Sequence, residues 1–344
     1  MTDTRVDRNA ANTPPRVRPA VTVRDAALRP RQQRIALLTI FAPALGAAAA
    51  LWLAFERGFT TLDLGFLLGG VVFSQLCLEV GYHRLFAHRA FHTGAWLRAL
   101  LAVGGSMCAQ GRVLHWVANH RRHHIHSETQ DDPHSPHVRA RRDRSGPEPL
   151  GLVRGLLHAQ WGHMLTDDVP NGTLFARDLN ADPLLRWVNE HYALCVGAGL
   201  ALPALLGWAL TGDSTGALSG LLWGGFARMF LVQNVTWSVA SACHRFGSAP
   251  FDAGDQSRNL WWAGLLSFGA GYQNTHHAFP HSAFLGLRWW ELDVAAWAIR
   301  ALASVGWVRN PKRMSERELE AKRRPIRVSA TTGHAHADPE HARR

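Results

Sequence analysis

The sequence predicts an all-α integral membrane protein with four transmembrane helices, and two observations carry that prediction. Four apolar runs, residues 35–55, 62–80, 192–210 and 217–240, are each long enough to cross about 30 Å of hydrocarbon as a helix. The histidine clusters lie outside those runs, after the second, in the middle segment and beyond the fourth. Two short links, 56–61 and 211–216, join the runs in pairs, so both ends of the chain and the long middle segment share one side of the bilayer. Eight Arg against three Asp in residues 1–34, ten basic against five acidic residues in 309–344, and an arginine-rich middle loop assign that side to the cytoplasm.

In chain order, residues 1–33 hold much Arg, Pro, Thr and Asp and too little apolar material to pack, which predicts disorder. Pro43 sits inside the first run, where neighbouring groups in a membrane bundle can satisfy the carbonyl it frees. The second run has charges only at Asp63 and Glu79, near its ends, and the first histidine pair is expected at its exit. Residues 96–117 are apolar but broken by Arg98, Gln110, Arg112 and His115, which reads as an interfacial or core-buried helix. A loop over 135–149 and a soluble cap over 150–190 follow from their Arg, Pro and Gly and their mixed Trp, His and acids. Arg228 interrupts the fourth run and is expected to face a protein interior or lie near an end, since an intramembrane charge is costly. Residues 259–269 are too short to span, and the Trp-bearing stretch 287–303 suits an interfacial helix. The domain so defined runs over 34–308, before a charged and largely disordered tail over 309–344.

Composition narrows the function. The net charge of +11 resides mostly in the two ends, and no aromatic-interleaved basic face accompanies it, so it suits a membrane surface and no nucleic acid. The four Cys, at 77, 108, 195 and 243, form no CxxC pair and read as buried free thiols without a disulfide frame or zinc finger.

The central stretch is HRRHHIHSETQDDPH, from His120 to His134. His120, His123 and His124 are spaced i, i+3, i+4, which puts three imidazoles on one helix face where they can converge on a metal. Arg121 and Arg122 also permit a blander reading, a solvated basic run facing phosphates or headgroups. Two further groups favour the metal: His83 and His88 in HRLFAH, and His276 and His277 in QNTHHAFPH. Imidazole suits zinc, copper, iron and nickel alike, so spacing alone does not choose the ion. His92, His115, His126, His137, His158, His163, His191 and His281 read as surface or hydrogen-bonded core residues, and His334, His336 and His341 lie in the tail. A histidine-lined metal transporter is a different class of reading, but a transport path needs polar groups near the bilayer midplane.

Taken together, GYHRLFAHRAF from Gly81, WVANHRRHHIHSETQDDPH from Trp116, CHRFG from Cys243 and NTHHAFPHSAFLGLRWW from Asn274 resemble the membrane-bound fatty acid desaturases, and most of all the bacterial acyl-CoA delta-9 type. The likeness covers residues 35–308. It implies a cytosolic helical cap over four transmembrane helices, holding a non-haem diiron centre. It also implies a reaction in which O2 and two electrons remove hydrogen from adjacent carbons of an acyl chain. Carried onto this sequence, the resemblance makes His83, His88, His120, His123, His124, His244, His276 and His277 the iron ligands, with Asp132 and His134 orienting them. It places the protein in a bacterial inner membrane, with both termini and the active site cytoplasmic.

The substrate implied is a fatty acyl chain on CoA, acyl carrier protein or lipid. No haem-binding HPGG segment, flavin fingerprint or ferredoxin-like Cys spacing is present in the sequence, so the electrons are expected from an external ferredoxin-type donor and its reductase. Three positions depart from the family pattern. Gln273 stands where many acyl-CoA desaturases begin the third box with His, and can coordinate only weakly, through its carbonyl oxygen. Ala240 replaces a frequent Asn and Ala270 a frequent acid. These departures leave open a hydroxylase, an acetylenase, or an inactive lipid-binding scaffold.

Overall fold

The computed structural model describes residues 20–23, 29–141, 145–166 and 168–325. The expectations for residues 1–19 and 326–344, His334, His336 and His341 among them, lie outside the described residues. Four helices are long and apolar enough to cross a membrane: Arg29–Arg57, Thr61–Ala87, Tyr192–Thr211 and Ser214–His244. Each contains one expected run and extends past it. Leu38, Leu45 and Leu51 on the first, and Leu205, Leu206 and Leu210 on the third, point away from the protein, as a lipid-facing surface requires.

Between the helices, small residues let backbones touch, the packing expected where no water drives helices together. At Gly207 an added Cβ would meet the Gly216 carbonyl oxygen at 2.0 Å, and at Gly220 the Pro203 carbonyl oxygen at 1.9 Å. Arg228 faces the protein interior. It donates to the Gly199, Met107 and Gly224 carbonyls at 2.8, 3.0 and 3.0 Å and to the Ser74 hydroxyl at 3.1 Å, which satisfies a guanidinium that lipid could not.

The second helix does not end where the sequence suggested. It continues to Ala87 because Cys77–Ala87 winds as a π-helix, so the first histidine pair begins within the helix and not after it. The change of winding has a purpose in register. On an α-helix, residues five apart are rotated by roughly 140°. A π turn bonds residue i to i+5, as the His88 N–H does to the His83 carbonyl at 3.1 Å, and so brings both imidazoles to one side.

The interrupted stretch 96–117 forms no span. It splits at Gly111, whose φ of +104° few other residues adopt, into helices Ala95–Ser106 and Val113–His126. Both are core-packed through Leu97, Leu101, Val113 and Val117. Shorter helices, Leu152–Gln160, Pro183–Glu190, Gln273–Ala278 and Val294–Ser304, complete a cap at one end of the bundle. Arg84, at the end of the second helix, joins cap to bundle: fully buried, it donates to Asp293 and to the Ala283 carbonyl, each at 2.7 Å. Asp293 also caps the helix Val294–Ser304 through the Ala296 N–H.

The expected boundary at residue 308 requires correction. Val308–Arg309 pairs antiparallel with His92–Thr93, the Lys312 N–H bonds the Ala90 carbonyl at 2.8 Å, and Glu316–Lys322 is a helix. Met314 and Leu319 pack against Phe251 and Phe279. Two apolar residues isolated among charges do not signal packing in a sequence, so 309–325 read as tail. At the other end, Thr22–Val23 pairs with Val169–Pro170, and the first helix starts at Arg29, inside the segment expected to be disordered.

Asp293→Ala leaves the Arg84 charge buried and unpaired, a loss of about 3–5 kcal/mol. The expected outcome is an apparent Tm lower by roughly 5–10 °C in detergent micelles, read by intrinsic fluorescence.

Candidate metal centre

The helix Val113–His126 carries His120, His123 and His124 on one face, as their spacing requires. The arginines between them are not solvated. Arg122 is fully buried and donates to the Asp131 carbonyl at 2.6 Å; Arg121 binds Asp178 at 2.6 Å and donates to the Ala87 and Phe86 carbonyls at 2.8 and 2.7 Å. Arg121 thus ties this helix to the end of the π-helix, and sets the second histidine box against the first.

All eight box histidines come together. His83, His88, His120 and His276 form one group and His123, His244 and His277 another, with the ring nitrogens of each group within 4.8 Å of one another. His124 stands between the groups, its Nε2 2.9 Å from that of His276 and 3.1 Å from that of His120. The Nε2 atoms of His83 and His276 lie 2.9 Å apart, and those of His88 and His120 2.7 Å.

Four carboxylates determine which nitrogen points inward. Glu79 accepts from His83 Nδ1 at 2.8 Å, Asp132 from His123 Nδ1 at 3.0 Å and Glu128 from His244 Nδ1 at 3.1 Å, while Asp255 accepts from His277 Nδ1. An imidazole that gives its Nδ1 proton to a carboxylate presents a lone pair at Nε2, the arrangement common to metal-ligating histidines. The Nε2 atoms of His123 and His244 are buried and have no hydrogen-bond partner among the described residues. These donor sets fit divalent first-row metals.

Burial, reinforced by the other imidazoles, holds His88, His120, His124 and His276 well below the usual histidine range, and burial outweighs the Asp255 bond to hold His277 at about 4. Burial also opposes protonation of His123, but Asp132 outweighs it and raises that one group.

Asp132 orients His123, and His134 packs beside it at 4.4 Å between ring centroids. Gln273 is buried, its Nε2 2.9 Å from His277 Nε2, and its Oε1 has no partner among the described residues. Glu79, Glu128 and Asp255 were not singled out in the sequence. Glu79 carried a usable signal, one helical turn before His83, and Glu128 lies inside the central stretch, four residues after His124; Asp255, 22 residues before its partner, carried none. Of the histidines read as bland, His191 stacks on Trp187 and His281 is 39% exposed near Glu318, both apart from the centre.

A cavity of about 760 Å³ adjoins the centre. His83, His123 and Gln273 line it at buried positions and His120 at a half-buried one, and Trp116, Val196, Thr236, Trp237 and Val239 line its walls. The three departures from the family pattern, Gln273, Ala240 and Ala270, all border this cavity.

The model of the fatty acid desaturase family matches residues 59–311. The chain belongs to the fatty acid desaturase family. It is accordingly an oxidoreductase, with metal-binding histidine clusters in a membrane protein. The desaturase is 38% identical over 310 residues to a hex-5-enoyl-[acyl-carrier protein] acetylenase of Moorena producens, covering 90% of this chain and 95% of that protein. It is 36% identical over 238 residues to an sn-1 stearoyl-lipid 9-desaturase of Anabaena variabilis, covering 69% and 79%. An icosanoyl-CoA 5-desaturase of Limnanthes douglasii is 30% identical over 301 residues, covering 85% and 76%.

Two outcomes test the centre. Glu128→Gln and Asp255→Asn each replace the carboxylate that orients a histidine with a neutral, weaker acceptor, and metal affinity should fall 10–100-fold, measured by chelator competition. Lowering the pH should destabilise the cap. His277 titrates at about 4 in the fold and near 6.5 when unfolded, so between those values the unfolded chain binds the extra proton. Stability is therefore complete above about pH 6.5 and declines as the pH falls towards 4; His123 opposes the trend. Thermal scans at pH 7.5, 6 and 5 should show a progressively lower apparent Tm.

Proposed function

We propose that the desaturase removes one hydrogen from each of two adjacent carbons of a fatty acyl chain, reducing O2 to water with two electrons and two protons supplied from outside. The supporting observation is the meeting of eight imidazoles beside a cavity that His83, His120 and His123 line together with residues of the membrane helices. In this reading His83, His88, His120, His124 and His276 hold one iron, and His123, His244 and His277, with Gln273 beside them, hold the other. Bound iron supplies the redox chemistry that activates O2, which zinc does not offer.

The protein's own groups do the rest. Trp116, Val196, Trp237 and Val239 wall the cavity, so the acyl chain lies in an apolar channel with water excluded. One pair of methylenes is held facing His120 and His123, and that position decides which bond reacts. Glu79, Asp132, Glu128 and Asp255 accept from the Nδ1 of His83, His123, His244 and His277 and so keep those four Nε2 atoms aimed inward. The donor is a soluble ferredoxin-type protein with its reductase, attracted by the basic side of the molecule. The cap and both termini face the cytoplasm of a bacterial inner membrane.

A second reading rests on a specific observation. The similarity to an acetylenase extends over 90% of the chain, and the three unusual residues gather at the cavity. In that reading the same site acts on a chain that already holds a double bond.

Fatty acid profiling separates the readings. The chain is expressed in a bacterial host with a ferredoxin system and compared with His123→Ala. The expected result is a new unsaturated acyl species that depends on His123. A product with a triple bond favours the second reading, and a hydroxylated product or none overturns desaturation.

A further inference from the structure

Two of the three residues of the second histidine group depend on one short loop. Asp255 accepts from His277 Nδ1, and the neighbouring Gln256 N–H donates to Glu128 Oε2 at 3.1 Å, while Glu128 Oε1 accepts from His244 Nδ1 at 3.1 Å. Irregular backbone does not hold such a geometry by itself, so the grip must come from what surrounds it. The helix of the third box supplies one side. The fully buried Asn274 side chain accepts from the Phe251 N–H at 2.8 Å and donates to the Phe251 carbonyl at 3.0 Å. At the far end of the loop, Asn259 accepts from the Thr275 N–H at 3.0 Å and donates to the Thr275 hydroxyl at 2.8 Å.

The C-terminal segment supplies the other side. The Asp252 N–H donates to the Lys322 carbonyl at 2.7 Å and the Arg324 N–H to the Pro250 carbonyl at 2.9 Å. Lys322 Nζ donates at 2.7 Å to the carbonyl of Ala278, the last residue of the helix Gln273–Ala278. A last-turn carbonyl has no partner inside its own helix, and the ammonium fills that place. Lys322 thus meets the loop through its backbone and the histidine helix through its side chain. We propose that Asn274 and Lys322 are positioning residues for the metal centre: they lock the loop 250–256 against the third box, and so set His244 and His277 for one of the two metals. This rests on the assignment above of one metal to His123, His244 and His277. The other group is built differently. His83, His88 and His120 come from the end of the second membrane helix and from Val113–His126, and Glu79 orients His83 from its own helix. The family model ends at residue 311, so Lys322 belongs to sequence beyond that match.

The test is anaerobic titration of the full chain in detergent micelles with ferrous iron against a competing chelator, which reads the number of sites and the affinity of each without turnover. Lys322→Met keeps an unbranched side chain beside Phe279 and removes the donor. The expected result is one site weakened about tenfold and the other as in wild type. Lys322→Arg, which keeps a cationic donor, should restore both affinities. Asn274→Ala should weaken the same site by about 10–100-fold. His244→Ala identifies that site: in this background, where it is already lost, Lys322→Met should change nothing further. Equal weakening of both sites by Lys322→Met marks a general loss of packing and overturns the proposal, and so do two unchanged affinities. A wild type that binds fewer than two iron ions overturns the two-metal assignment, and the proposal falls with it.

Discussion

A buried neutral imidazole has two obligations: its N–H must find an acceptor and its lone pair must find a cation or a donor. Eight such rings crowd together beside one cavity, and for four of them the structure meets the first obligation with carboxylates. Glu79, Asp132, Glu128 and Asp255 each take an Nδ1 proton, which leaves the Nε2 lone pairs facing one another. That facing arrangement is unfavourable without a cation between the rings. The rest of the cap serves to keep it assembled, through Arg121 bridging two boxes and Arg84 fixing the end of the second membrane helix to Asp293.

The bundle and the centre depend on one another. The second membrane helix carries Glu79 and His83 directly out of the apolar run, and the fourth ends at His244, so the spanning helices themselves deliver ligand positions. The cavity reaches the same place from between the helix ends.

Much of this was legible in the chain. Hydrophobic runs are local, and a stretch of about 20 apolar residues has few alternatives to a spanning helix, so all four spans were found in place. Histidines at i, i+3, i+4 share a face on any helix, so His120, His123 and His124 were found together. Pro43 and Arg228 likewise behave as a membrane bundle requires. The sequence misled wherever the partner was distant. Arg121 and Arg122 look solvated in isolation, yet Asp178, 57 residues on from Arg121, and the Asp131 carbonyl engage them.

By itself the sequence determined the four spans and the common helix face of His120, His123 and His124, because those follow from hydropathy and short-range periodicity; the full set of eight histidines came from the resemblance to a family. Only the tertiary structure decided how the boxes meet. It wound Cys77–Ala87 as a π-helix so that a spacing of five becomes one face. It brought Asp255 to His277 and folded 309–325 back onto Phe251 and Phe279. Each of these is set by a contact between residues far apart in the chain, whose loop closure is decided by packing of the whole cap and not by any local preference.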